Sequence, residues 1–291
     1  MNWLDVAIQG VLLGGVYALF ALGLSLVFGI MRLVNLAHGD LIVLAAYVVL
    51  FASSAFGLPI LVGAMITIVA MFALGYLLQR LVLQRVLGPD IMPPLLVTFG
   101  LSVVTQNALL MGFGADSRRL QAGAFETASI PLGPDLAIGL APLTALLAAI
   151  LVIAVLQFVF YRTSLGRAFR ATADNPEIAQ LMGINQRHVY ALAVGISLAV
   201  SVVAAVSFGI RANFDPSIGP ARLLYAFEAV IIGGLGSLWG TLLGGVVLGL
   251  AQTIGGRISP EWQILAGHLA FLLVLTVAPR GLFPGGQHSR R

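Results

Sequence analysis

Glu228 is the only carboxylate set well inside an apolar stretch of this sequence. An ionisable group in such a place is functional by default, because hydrocarbon cannot solvate it. It could exchange protons in a proton-driven carrier. Alternatively it is held in an ion pair with Arg222 or Arg211, and this second reading is favoured although Arg222 lies six residues away and on a different helical face. A second cluster is Asn-Leu-Ala-His-Gly-Asp at residues 35–40. It admits two readings. In one it is a water-exposed turn, with Asp40 capping the next helix and His38 and Arg32 solvated. In the other, Gly39 breaks a helix inside the membrane and Asn35 and His38 line a pathway, because non-helical backbone at that depth must face protein or a cavity. Thr98, Ser102, Gln106 and Asn107 are polar within another apolar stretch. They either bond to their own helix or line a cavity for a zwitterionic solute. His268 reads as a hydrogen-bonded packing residue. The four histidines are far apart and suggest no metal site. Cysteine is absent, which excludes thiolate chemistry and disulfides. No Ser/His/Asp or paired-carboxylate arrangement points to an enzyme, and no G-x-x-x-x-G-K-[ST] stretch could cradle a nucleotide.

The elements that carry these residues follow from composition. The chain has 291 residues, 59% hydrophobic and only 9% charged, against about 25% charged in soluble domains. Mean hydropathy is +1.03. So few charges cannot cover a soluble surface of this size, so the chain is read as an integral membrane protein. All fifteen basic residues are arginine. They stand singly or in pairs between apolar runs, a topological pattern rather than a nucleic-acid footprint.

Stretches free of acidic and basic residues run over 6–31, 41–79, 91–115, 136–161, 188–210, 229–256 and 262–279. A spanning helix needs about 20 apolar residues. The second stretch holds two helices, split by Ser-Ser-Ala-Phe-Gly-Leu-Pro at 53–59. The expected fold is an all-α, polytopic inner-membrane bundle of about eight transmembrane helices, forming a single transmembrane domain over residues 1–291. The first stretch lacks a basic flank and reads as the first membrane helix rather than a cleaved signal. Spanning strands are not expected, since nothing alternates over about ten residues.

The densest basic loop, Arg162 to Arg187, is placed in the cytoplasm. Alternation then puts the N-terminus outside, Arg32, Arg80 and Arg85 inside, and Arg118, Arg119, Arg211 and Arg222 outside. The C-terminal arginines fall inside only if residues 224–256 form a broken or re-entrant pair turning near 236–240. Gly236, Gly240 and Gly244, then Gly245 and Gly249, recur every four residues. Such stripes let backbones approach closely. They form a static seam, a sliding one, or a half-helix whose amides face a substrate carboxylate. The loop at 162–187 also carries a short helix. Asn175 or Asp174 caps it, Pro176 opens it, Glu177 sits in its first turn and Gly183 ends it.

Several stretches together resemble one family. They are Tyr-Ala-Leu-Phe-Ala-Leu-Gly-Leu-Ser-Leu-Val-Phe-Gly at 17–29, residues 34–40, Thr-Phe-Gly-Leu-Ser at 98–102, Gly-Arg-Ala-Phe-Arg-Ala at 166–171, residues 175–184, Ala-Phe-Glu-Ala-Val-Ile-Ile-Gly-Gly-Leu-Gly-Ser at 226–237, and Pro-Arg-Gly-Leu-Phe at 279–283. In this order the chain resembles the permease subunit of ATP-driven branched-chain amino acid importers (the LivH type) in a bacterial inner membrane. The resemblance implies an amino-acid substrate, a second homologous permease subunit, two cytoplasmic ATPase subunits and a periplasmic substrate-binding protein. It implies no cofactor of its own, no enzyme activity and no nucleic acid. It makes residues 162–187 the coupling loop, with Arg170, Ala173, Asn175, Glu177, Ala179, Gly183 and Ile184 as ATPase contacts, although Glu-Ile-Ala stands at 177–179 where the family has Glu-Ala-Ala. Asn35, His38, Gly39, Thr98, Ser102, Glu228, Gly233, Gly234 and Gly236 become the expected pathway residues. Arg118, Arg119, Arg211 and Arg222 become expected contacts for the binding protein. Relatives carrying amides or urea and a proton-coupled carrier built on Glu228 stand as the alternatives.

Overall fold

The computed structural model describes residues 3–88, 90–133 and 136–283. Eleven α-helices run α1 (Trp3–Met31), α2 (His38–Phe56), α3 (Ile60–Leu81), α4 (Met92–Phe113), α5 (Leu140–Arg162), α6 (Ser164–Asp174), α7 (Pro176–Leu181), α8 (Gln186–Arg211), α9 (Gly219–Gly233), α10 (Leu238–Ile258) and α11 (Trp262–Val277). Seven of them are long and apolar enough to cross a bilayer: α1, α2, α3, α4, α5, α8 and α10. Each of the seven charge-free stretches holds a helix, the one at 41–79 holds two, and the one at 229–256 holds most of α10 and the end of α9. An antiparallel pair of short strands, β1 (Ser129–Gly133) and β2 (Leu136–Gly139), sits in the loop before α5. At five and four residues these strands are far shorter than the roughly 9–11 of a membrane-spanning strand.

α1 is the central post. Almost every side chain from Val16 to Val27 is buried, and α5, α8, α9 and α10 all pack on it. α4 and α5 leave most of their apolar side chains exposed or half-buried, as lipid-facing or partner-facing helices do. One end of the bundle holds the C-terminal ends of α1 and α5, the α6–α7 pair and the turn between α9 and α10. The opposite end holds the β hairpin, to which the start of α1 is tied by Gln9 Nε2 donating to the Ala137 carbonyl.

Two passes through this bundle are only half helical. After α1 the chain turns at Arg32, the one described non-glycine residue with positive φ (53°). It runs back non-helically through residues 33–37 before α2 starts. The start of α2 lies beside Phe20, in the middle of α1, because His38 Nε2 donates to the Phe20 carbonyl at 2.9 Å. Likewise, residues 212–218 lead inward from the hairpin end before α9 starts against Gly39 and Asp40. α9 has 15 residues, about 22 Å at 1.5 Å per residue, too short for a core about 30 Å thick. Counting each non-helical stretch with its helix, the described residues make nine passes through the bundle, and the broken pair expected at 224–256 is α9 and α10 turning through Gly234–Ser237. Gly234 and Gly236 take φ of 107° and 78°, which glycine alone adopts without strain.

The glycine stripes serve two neighbours. Gly240 and Gly244 meet the α9 backbone at Gly233 and Ala229, whereas Gly245 and Gly249 meet α1 at Gly14 and Gly10. A Cβ on Gly245 would lie 2.6 Å from the Gly14 carbonyl oxygen, and one on Gly14 would lie 2.5 Å from Val246 Cα. The obstacles are backbone, so they cannot yield by changing a rotamer. Thr241 Oγ1 adds a polar clasp, donating to Ser25 Oγ of α1 at 3.0 Å. Gly245→Val is therefore expected to destabilise the bundle by at least the ~1–3 kcal/mol typical of overpacking, seen as a lower thermal unfolding temperature in detergent. Gly100→Val, at a position with open space around it, should leave that temperature unchanged.

Candidate functional site

The non-helical stretches bring the N-termini of α2 and α9 face to face. Gly39 packs on the Gly219 carbonyl and the Leu223 amide, and Gly219 packs on the Asp40 side chain. Neither contact leaves room for a Cβ. Asp40 is 1% exposed. Its Oδ2 accepts a hydrogen bond from Ser102 Oγ of α4 at 2.6 Å, and Gln106 Nε2 donates to the same Ser102 oxygen at 3.2 Å. Its Oδ1 has no hydrogen-bond partner and lies at the first turn of α9. A helix N-terminus carries roughly half a positive charge, and an anion beside it is stabilised by up to about 2 kcal/mol when partly buried. Here one carboxylate faces two such termini, its own and that of α9.

The local sequence explains the break. Asn35 Oδ1 accepts from the Ala37 amide at 3.0 Å, a turn made by a side chain in place of helix. His38 is buried, with Nε2 bonded to Phe20, so the reading that left it solvated in a surface turn gives way to the intramembrane break. Ser197 Oγ donates to the Gly23 carbonyl beside it at 2.8 Å. Thr98 Oγ1 donates to the Pro94 and Leu95 carbonyls of its own helix. Of the polar residues expected on α4, Ser102 is thus the one hydrogen-bonded to another element, with Gln106 bonded behind it on the same helix. Asp40 itself was not among the expected pathway residues. Its signal was its position directly after Gly39, with no other charged residue until Arg80.

Glu228 does not pair with Arg222 or Arg211. It bonds to His268 Nδ1 of α11, and its other oxygen, Oε2, has no partner. Six helical residues turn the two side chains apart, so Arg222 points instead to α8. There its guanidinium lies 4.2 Å from the Phe208 ring centroid and 6.0 Å from that of Tyr225, a cation–π arrangement. Tyr225 in turn stacks on Tyr17 of α1 at 5.0 Å. The four expected outer arginines therefore separate. Arg118 pairs with Phe214 through backbone bonds, and Arg119 donates to the Ile210 carbonyl at 3.0 and 2.9 Å and lies 3.3 Å from Glu126. Arg211 closes α8 beside them, but Arg222 lies inward, in the first turn of α9. Gly233, Gly234 and Gly236 are packing and turn positions at the opposite end.

At that opposite end, Thr163 caps α6 and Asn175 caps α7, the latter accepting from the Glu177 and Ile178 amides at 3.1 Å. Gly183 ends the turn at φ 85°, and the Ile184 amide returns to the Ala179 carbonyl. Ala179 is buried and anchors α7, while Arg170 stacks on Tyr161. The outward face of α7 is apolar: Ile178, Leu181 and Met182 are 58%, 85% and 78% exposed. These three were not singled out from the sequence. Their i, i+3, i+4 spacing on a capped helix was the available signal.

A half-helix pair joined by a buried carboxylate, inside a bundle of long apolar helices with glycine-packed seams, is the architecture of a polytopic membrane protein. The sequence profile described as the branched-chain amino acid transport system / permease component matches residues 6–278, and the chain belongs to that family. It is 28% identical to the high-affinity branched-chain amino acid transport system permease protein BraD of Pseudomonas aeruginosa, over 97% of this chain and 95% of that one. It is 29% identical to the corresponding protein LivH of Escherichia coli K12, over 97% and 96%. Among solved structures it resembles a chain of PsaBC from Streptococcus pneumoniae, determined with a Fab, with a TM-score of 0.51 over 94% of this chain and 92% of that one. At 12% identity the likeness concerns the fold alone.

If Asp40 holds the two half-helices together, Asp40→Asn should lower the unfolding temperature of the purified protein more than Ser102→Ala, which removes one hydrogen bond to that carboxylate, worth about 1.5–3 kcal/mol. An Asp40→Asn protein that melts with the wild type would show the charge to be dispensable.

Proposed function

We propose that this chain is the permease subunit of an ATP-driven importer of branched-chain amino acids. It forms half of the translocation pathway, paired with a second, homologous permease. Two ATPase subunits dock on the α6–α7 end, which faces the cytoplasm together with the C-terminus, and a binding protein delivers substrate at the β-hairpin end, with the N-terminus outside. Family membership and the names of the relatives support the transport role. The observation that carries the coupling is the apolar outer face of α7, Ile178, Leu181 and Met182, on a helix held rigidly by Asn175 and Gly183 beyond the end of the bundle.

The mechanism follows from that rigidity. Closure of the ATPases pushes on α7, and buried Ala179 and Phe169 transmit the push to α6 and the start of α8. α8 packs on α1, α2 and α3, so its movement bears on the junction of α2 with α9. There the backbone is non-helical and can re-aim without breaking a helix ladder. Arg118, Arg119 and Arg211 are assigned to contact with acidic groups of the binding protein, which would compete with Asp116 for Arg118 and with Glu126 for Arg119, a contact that weakens with salt. Arg222, over Phe208 and Tyr225, is assigned to the pathway instead. Glu177 flanks the docking face, with Ala173, Ala179 and Ile184 supporting it from behind, whereas Arg170 turns inward onto Tyr161.

Leu181→Asp/Met182→Asp is expected to abolish ATP-dependent uptake and co-purification of ATPase subunits while the unfolding temperature stays near wild type, since both side chains are solvated in the isolated chain. Uptake that persists in this variant would overturn the coupling role. Glu228→Gln discriminates the proton-coupled alternative. An importer driven by ATP keeps ATP-dependent, ionophore-resistant uptake with this change, whereas a proton carrier loses transport altogether.

A further inference from the structure

A cavity of about 660 Å³ opens at the α6–α7 end. Its walls are the last turns of α1 and α5, the inner face of α6, the turn between α9 and α10, and Pro279. Three guanidinium groups line it, from Arg32, Arg170 and Arg280, and among the described residues no carboxylate does. None of the three forms an ion pair among the described residues. Arg170 Nη1 is buried with no hydrogen-bond partner. A buried guanidinium N–H left unsatisfied is costly, and Arg170 stands in the middle of α6, so it does not serve a helix C-terminus. The α10 N-terminus, with Ser237 as its cap, opens on the same space and adds a positive end.

We propose that this cavity holds the phosphate of an anionic phospholipid. Guanidinium groups bind phosphate oxygens through paired, charge-assisted hydrogen bonds. The volume lies within the range of small-molecule sites, about 300–1,000 Å³. Its level, at the ends of α1 and α5, is where a headgroup lies. Tyr161 and Trp239 line it and are partly open to the surroundings, as aromatic side chains at the membrane–water boundary are. Leu26, Phe28 and Leu235 supply apolar wall for the upper acyl chain. Basic pockets between membrane helices are a general mode of anionic headgroup binding. The bound phosphate would tie α6 to the α9–α10 turn, two elements that otherwise meet only across the cavity. The inference concerns binding and stands whether or not the transport reading holds.

The test measures lipid retention. The protein, with the subunits that co-purify, is placed in nanodiscs of phosphatidylcholine containing a minor fraction of phosphatidylglycerol, and retained lipids are identified by native mass spectrometry. Wild type should retain a phosphatidylglycerol molecule. Arg170→Gln and Arg280→Gln should each weaken it by about tenfold, the loss of one charge-assisted contact. Arg162→Gln, outside the cavity, should retain it. Arg280 is exposed in the turn after α11, so its variant reports on binding even where Arg170→Gln does not fold. Retention by Arg280→Gln equal to wild type overturns the proposal. A parallel arm adds inorganic phosphate to discs of pure phosphatidylcholine. If phosphate alone raises the unfolding temperature as phosphatidylglycerol does, the ligand is a soluble anion and the lipid assignment fails.

Discussion

A carboxylate buried at the meeting point of two helix N-termini is the interaction on which the arrangement turns. Asp40 lies in the first turn of α2 and against the first turn of α9, at the level of mid-α1. Lipid cannot solvate free backbone amides, so a half-helix is tolerated only where protein supplies their partners. Two half-helices that end on one another solve part of this problem, but they also set two positive ends together. The negative charge of Asp40, held by Ser102, offsets that repulsion. Gly39 and Gly219 then have to be glycine, because the backbones meet where any side chain would stand.

Around that junction the bundle divides by how tightly its backbones meet. α1 and α10 are in backbone contact along four glycines and are clasped by Thr241 and Ser25, and Tyr17 of α1 bonds to Gln252 of α10. α9 lies in a second glycine seam on α10. These three helices form a block without rotamer freedom between them. α4 is different. It packs principally on α2, and its polar link to the rest runs through Ser102 and Asp40. The hydrogen bonds on which α4 depends are thus the ones that also hold the half-helices.

Much of this was legible in the residues. Apolar runs marked every long helix, and the arginine distribution required an even-numbered pass through 224–256, which α9 and α10 supply. The caps at Asn175 and Gly183 were readable because they use local chemistry. The partner of Glu228 was not, because His268 lies 40 residues away and nothing in local spacing ties α9 to α11. The start of α9 was obscured as well: Glu228 bounds the charge-free stretch and the expected broken pair began at 224, whereas the helix starts at Gly219 and carries Arg222 in its first turn. The intramembrane break at 35–40 was recognisable as one of two options. Choosing between them needed the depth of His38, a tertiary fact fixed by its bond to Phe20.

The junction also has a consequence for how the chain is made. Asp40 enters the bilayer early in synthesis, whereas Gly219, against which it rests, follows 219 − 40 = 179 residues later. For most of translation the first half-helix therefore lies beside a partner that does not yet exist, with its carboxylate and free amides exposed to whatever surrounds the nascent chain. The break that opens the finished protein at its centre makes the unfinished one dependent on protected, ordered insertion.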